Sequence, residues 1–188
     1  MKILMLIDSL GIGGAETHVE VLALGLAELG SDVCVASGGG VVAQRLVAKG
    51  MPHLLLPSVV NTSPHLFLPL RLALAREMLA RYIEHERPDV VHAHTRRMAF
   101  LVSGICRRIK IPLVFTAHAK FFMDFPKNIF SRWGDATIAV SEDIASHVIA
   151  HSGTHSFANL LCRSGVKSIT VIPNGVKIEK MGVEADEK

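Results

Sequence analysis

Four stretches of this chain carry side chains or backbone suited to chemistry. The first is Asp8-Ser9-Leu10-Gly11-Ile12-Gly13-Gly14-Ala15-Glu16. Glycines without Cβ let the backbone come close to a ligand, and the free N–H groups of a helix start favour an anion such as a diphosphate. Gly13 and Gly14 are the candidates for that contact. A dinucleotide fingerprint would need a third glycine where Glu16 stands and an acid closing the next strand, where the chain reads Val35-Ala36-Ser37-Gly38. NAD binding is therefore disfavoured. The same spacing also suits a tight strand-to-helix turn in which Glu16 complements the helix dipole.

The second and third stretches are His92-Ala93-His94-Thr95 and Thr116-Ala117-His118-Ala119-Lys120, and the fourth is Ser141-Glu142-Asp143. By period two, His92 and His94 share one side of an extended segment, as a His-x-His metal pair would, but no third ligand is obvious from spacing. No metal is expected, and a hydrolase built on His92 and His94 is the weakest reading. A histidine at a strand end more often makes a structural hydrogen bond than does chemistry, which is the expectation for His92. His118 is the stronger candidate for a chemical role.

These residues need elements to position them. Short aliphatic runs alternate with helical patterns: Lys2–Asp8 then Ala15–Leu29, Asp32–Ser37 then Val42–Lys49, and His53–Leu56 then Pro64–His85. The alternation resumes with Asp89–His92 and Arg96–Ile109, then Leu113–Thr116, a loop and short helix through Arg132, Thr137–Val140, Glu142–His151 and Ser168–Ile172. Crossover helices joining parallel strands satisfy this order economically. The expected fold is α/β: a Rossmann-like, doubly wound, mostly parallel sheet of about seven strands. Its ligand crevice would lie at the carboxyl ends of the central strands, where the glycine loop and the histidines fall. Gly30 stops the first long helix, Pro88 precedes a strand, and Ser141 caps a helix opened by Glu142 and Asp143.

A chain of 188 residues and 20.4 kDa builds one well-buried domain. Its 49% hydrophobic and 20% charged composition excludes intrinsic disorder and suits a sheet covered on both faces. A net charge of +3 sets up no strong field for nucleic acid or membrane. Cys34, Cys106 and Cys162 are widely spaced and odd in number, which favours free thiols in a reducing, cytoplasmic compartment. No apolar run approaches the roughly 20 residues of a spanning helix, and Ile3–Ile7 is too short for a signal-peptide core.

In order, Gly13-Gly14-Ala15-Glu16, Asp89-Val90-Val91-His92-Ala93-His94, Thr116-Ala117-His118, Ala139-Val140-Ser141-Glu142 and Val171-Ile172-Pro173-Asn174-Gly175-Val176 resemble the family 4 retaining glycosyltransferases of GT-B fold. The resemblance covers nearly the whole chain. It implies that residues 1–176 are the N-terminal, acceptor-side domain, that 177–188 begin the interdomain connection or a polar tail, and that the C-terminal donor domain is absent. It further implies that Gly13 and Gly14 line the diphosphate of a nucleotide diphosphate sugar, while His118 contacts the transferred sugar. Glu16, His94, Lys120, Ser141 and Glu142 would border the cleft or bind the acceptor. The family's donor-gripping glutamates have no counterpart in Glu179 and Glu184.

The expected activity is retaining transfer of a sugar to a hydroxyl, with no cofactor, and with these residues inactive alone until a donor domain joins them in cis or in trans. The alternative is a non-catalytic binding or regulatory module. The acceptor would be a sugar, lipid-linked or other hydroxyl compound. Arg71, Arg76 and Arg81 within Pro64–His85, and the apolar Lys120-Phe121-Phe122-Met123, raise peripheral contact with the inner face of a membrane. The arginines scatter on a helical wheel, however, as they would on a core-packed helix with solvent-facing charges.

Overall fold

The computed structural model describes residues 1–57, 67–120, 132–152 and 166–175. Seven strands form one sheet: β1 (Lys2–Leu6), β2 (Asp32–Ser37), β3 (His53–Leu55), β4 (Val90–Ala93), β5 (Leu113–Ala117), β6 (Ala136–Ala139) and β7 (Ile169–Val171). Their order is β3-β2-β1-β4-β5-β6-β7, and every pairing is parallel. The helices are α1 (Gly14–Glu28), α2 (Val41–Ala48), α3 (Leu68–Glu86), α4 (Arg96–Ile109) and α5 (Glu142–Ser152). This is the Rossmann-like sheet expected from the alternation of patterns.

Period two along β1 explains why both faces of the sheet are covered. Ile3, Met5 and Ile7 join a core with Val19 and Ala23 of α1 and Val42 and Leu46 of α2. Leu4 and Leu6 point the other way, into a second core with Leu79 and Ile83 of α3, Met98 and Val102 of α4 and Val148 of α5. Such a strand has no solvent face, so it reads as a continuous apolar run.

The helix ends follow the signals in part. Gly30 stops α1 at φ +82°, but α3 and α4 end on left-handed Arg87 and Lys110, which carry no glycine signal. The Ser141 hydroxyl accepts from the Ile144 N–H at 3.3 Å, capping α5. Cys34 and Cys106 are buried free thiols, and burial pushes that of Cys106 up to about 12. No helix of the described residues is long and apolar enough to cross a membrane. The start of the expected third helix at Pro64, the Phe121–Met123 segment with the short helix before Arg132, Cys162 and the 177–188 tail lie outside the described residues.

Candidate functional site

Neighbouring strands β1 and β4 mark the point where the strand order reverses, and the loops leaving their carboxyl ends diverge there. A cavity of about 810 Å³ opens at this point. Asp8 and Ala15 line it from the β1–α1 connection, His94 to Arg97 from the β4–α4 junction, and His118 and Ala119 from the end of β5. Residues of α3 and α4 form the remaining wall.

The glycine loop is braced from β2. Leu10 N–H donates to the Gly39 carbonyl at 2.8 Å, and Val42 N–H donates to the Leu10 carbonyl at 2.9 Å. Gly40 makes this possible: at φ +133° it sits where a Cβ would lie 2.2 Å from the Leu10 oxygen. Gly13, by contrast, is extended, so its conformation suits any residue. What presses on Gly13 is Glu16, whose carboxylate folds back so that a Cβ on Gly13 would meet its Oε2 at 2.4 Å. Around Gly14 the space is open.

Asp8 ties the loop to the β4–α4 junction. Its carboxylate accepts from the Thr95 hydroxyl and from the Arg97 guanidinium, each at 2.9 Å. Burial raises the Asp8 pKa against the opposing pull of Arg97 and Thr95. Thr95 also caps α4, accepting from the Met98 N–H at 3.4 Å, so one hydroxyl links a strand end, a helix start and the acid.

Four histidines gather beside this junction. His92 Nε2 lies 2.7 Å from Thr116 Oγ1 in the buried core, the structural bond expected of it. His94 Nδ1 lies 3.2 Å from His118 Nε2. His18, from the second turn of α1, packs edge-on to His118 with ring centroids 4.9 Å apart and lies 5.6 Å from His94. His94 Nε2 and His118 Nδ1 are buried without a hydrogen-bond partner among the described residues. Burial, reinforced by neighbouring imidazoles, lowers the pKa of His92 and of His118 to about 4 and that of His94 well below its ordinary 6.5. Burial also lowers His18. At neutral pH the cluster is uncharged.

His18, His94 and His118 each offer a ligand atom within 4.8 Å of the others. The metal arrangement considered from spacing is thus corrected: His92 is engaged with Thr116, and the third ligand that spacing did not reveal comes from α1. A metal-bound imidazole ordinarily gives its second N–H to a carboxylate or carbonyl. Here two ring nitrogens face one another and the outer ones lack such partners among the described residues, a poor fit to a metal centre.

Lys120, Ser141 and Glu142 are not brought into the cavity wall. Lys120 pairs with Asp143 at 2.7 Å, Ser141 caps α5, and Glu142 occupies its first turn. Of the α3 arginines only Arg76 lines the cavity, while Arg81 pairs with Glu77. The outer face of α3 exposes Phe67, Leu70, Leu74 and Met78, an apolar stripe at helical spacing beyond its core-packed face.

A parallel Rossmann-like sheet with its cavity at the reversal point matches GT-B glycosyltransferase structures. The chain resembles Anabaena Alr3699/HepE in complex with UDP-glucose, with TM-score 0.68 and 20% identity over 94% of this chain and 44% of that one. It resembles the lipopolysaccharide outer core galactosyltransferase WaaB, with TM-score 0.63 and 16% identity over 96% of this chain and 47% of that one. It also resembles the UDP-GlcNAc 2-epimerase of Neisseria meningitidis bound to UDP-GlcNAc, with TM-score 0.56 and 18% identity over 90% of this chain and 45% of that one. The chain spans less than half the length of each, and at these identities the likeness carries the fold alone. No curated protein matches the sequence. Residues 12–180 match the family described as Glycosyltransferase Family 4. The chain belongs to that family.

Proposed function

We propose that this chain is the acceptor-side half of a retaining glycosyltransferase, which moves a sugar from a nucleotide diphosphate sugar to a hydroxyl together with a donor-binding domain supplied in cis or in trans. The observation that carries this reading is the single cavity shared by the β1–α1 connection, His94 and His118. Family membership supports it, as do structural neighbours solved with UDP-glucose and UDP-GlcNAc.

In this reading the backbone at Gly13 and Gly14, at the positive end of α1, lines the donor diphosphate. His118, neutral at working pH, hydrogen-bonds the transferred sugar, and His94 holds its ring in place. With retention, the phosphate departs and the acceptor hydroxyl attacks on the same face. The largest electrostatic task is then the charge growing on the diphosphate. Two glycines and a helix end are too little for that task, so the cationic groups come from the donor domain. These 188 residues alone do not turn over.

Nucleotide release from UDP-, GDP- and ADP-sugars by the purified chain tests the proposal, alongside amide spectra recorded with the same sugars. The expected result is no release, with selective shifts at Gly13, Gly14 and His118. Release abolished by His118→Ala would overturn the half-enzyme reading, and undisturbed spectra at those residues would overturn the donor contact.

A further inference from the structure

Gly39 and Gly40 brace Leu10, and the support for Gly39 begins one strand further out. The geometry points to His53 as a positioning residue that acts through Ser37 to set the glycine loop where the donor diphosphate is proposed to lie. This deepens the transferase reading and rests on it for the ligand.

Parallel register places His53, the first residue of β3, opposite Val35. Ser37 follows Val35 by two residues, so by period two the His53 and Ser37 side chains stand on one face of the sheet. His53 Nε2 lies 2.8 Å from Ser37 Oγ. The same oxygen accepts from the Gly39 N–H at 3.1 Å. The Gly39 carbonyl in turn accepts from the Leu10 N–H at 2.8 Å, and the Gly38 N–H donates to the Asp8 carbonyl at 3.0 Å. Strand ends are thereby joined in series: β3 through an imidazole, β2 through a hydroxyl and a glycine turn, and β1 through the first residues of its loop.

The middle link depends on the outer one. Gly39 at φ +83° and Gly40 at φ +133° make a turn that glycine adopts far more readily than other residues, and glycine backbone loses the most freedom on being fixed. The Gly39 N–H bond to Ser37 restrains that turn. A serine hydroxyl has one proton and two lone pairs. In either tautomer His53 engages one of these, taking the proton at a bare Nε2 or donating Nε2–H to a lone pair, and a lone pair remains for Gly39. Removing the imidazole takes a partner from a buried hydroxyl, which favours its turning to another staggered position and releasing Gly39. The Asp8 carboxylate clamps the loop toward β4 through Thr95 and Arg97. The His53 series sets how far Leu10 and the glycines after it stand from β2.

The test is amide hydrogen exchange, read residue by residue by NMR on the purified chain, with a UDP titration followed at the Gly13 and Gly14 amides. In His53→Leu and in Ser37→Ala the Gly39 and Leu10 amides should exchange at least about tenfold faster. The His94 N–H, bonded to the Leu6 carbonyl on the other side of β1, should keep its rate. His53→Gln carries an amide to a similar reach and should restore wild-type exchange. His53→Leu added to Ser37→Ala should change nothing more, because the imidazole acts through the hydroxyl. UDP should bind roughly three- to fivefold more weakly to His53→Leu, and at wild-type strength to His53→Gln. Unchanged Leu10 exchange, additive effects of the two substitutions, or no rescue by His53→Gln overturns the inference. Acceleration shared equally by the His94 amide, or UDP affinity that His53→Leu leaves intact, overturns it as well. A wild-type chain indifferent to UDP strikes the donor contact instead, and the exchange rates then decide the inference by themselves.

Discussion

His94 Nδ1 and His118 Nε2 lie 3.2 Å apart, joining the ends of β4 and β5 across the cavity floor. One of the two nitrogens must carry the proton between them, so each ring's tautomer determines what the other's outer nitrogen offers a ligand. Burial keeps both rings neutral, with His118 lowered to about 4. A proton NMR titration is expected to show His118 changing charge near pH 4, and His94→Ala, which admits water beside it, should move that midpoint back toward the ordinary 6.5. A wild-type His118 midpoint between 6 and 7 would sink the assignment of a neutral imidazole to this site.

The same burial makes the domain sensitive to acid. His92, bonded to Thr116 and near His18, His94 and His118, has a folded pKa of about 4 against an ordinary 6.5. The unfolded chain binds more protons between these values, so stability rises with pH across this window and is lost as pH falls from about 6.5 to about 4. At about 1.4 kcal/mol per pKa unit, His92 alone corresponds to roughly 3 kcal/mol. Urea unfolding from pH 7.5 to 4 is expected to show that decline, and His92→Asn should be less stable at pH 7.5 but flatter with pH. Parallel wild-type and mutant curves would show that His92 is not responsible.

The elements that hold these histidines were open to inspection in the sequence because their signals are local. Apolar runs separated by helical patterns dictate parallel strands, and parallel strands bring the residues after Leu6, Ala93 and Ala117 to one edge. Contacts made across the sheet carry no such signal. His18 sits inside a helical pattern like any surface histidine, although its spacing of one turn from Gly14 would have put it on the side of the glycine loop. The run Gly38-Gly39-Gly40 shows in sequence only the lack of a dinucleotide-binding acid, while its contact with Leu10 lies about thirty residues away along the chain. The cavity wall arises from α3 and α4 together, and neither helix alone displays it.

Zinc content separates a hydrogen-bonded histidine cluster from a metal centre. Protein purified without chelator is expected to hold zinc well below one equivalent, because among the described residues the outer nitrogens of His94 and His118 lack the partners that orient metal ligands. One equivalent by elemental analysis, lost in His18→Ala, would instead establish the trio as a metal site.

Gly40 bears on the site through Leu10. Gly40→Ala would put a methyl 2.2 Å from the Leu10 carbonyl oxygen at a backbone φ of +133° that side chains rarely adopt. Both effects fall on backbone, which cannot turn aside as a side chain does. A loss of about 3 kcal/mol or more is expected in denaturant unfolding, with amide shifts spreading through Leu10 to Gly14. Gly14→Ala, with open space at its Cβ, serves as the comparison and should cost far less. Equal losses from the two variants would mean that the brace from β2 does not hold the loop.

Glu16 poses the sharpest conflict at the glycine loop. In the first turn of α1 its carboxylate complements the helix dipole, yet it leans on Gly13, where a donor diphosphate would approach. Both anions favour the same N–H groups, so the side chain must swing aside when the diphosphate arrives. Glu16→Gln removes that competition at a cost to helix stability of about 0.5 kcal/mol. UDP binding, followed through the Gly13 and Gly14 amides, should tighten by about threefold, a gain of less than 1 kcal/mol. Weaker binding in Glu16→Gln would reverse the assignment: the carboxylate would then be a ligand contact in its own right, gripping a hydroxyl of the donor.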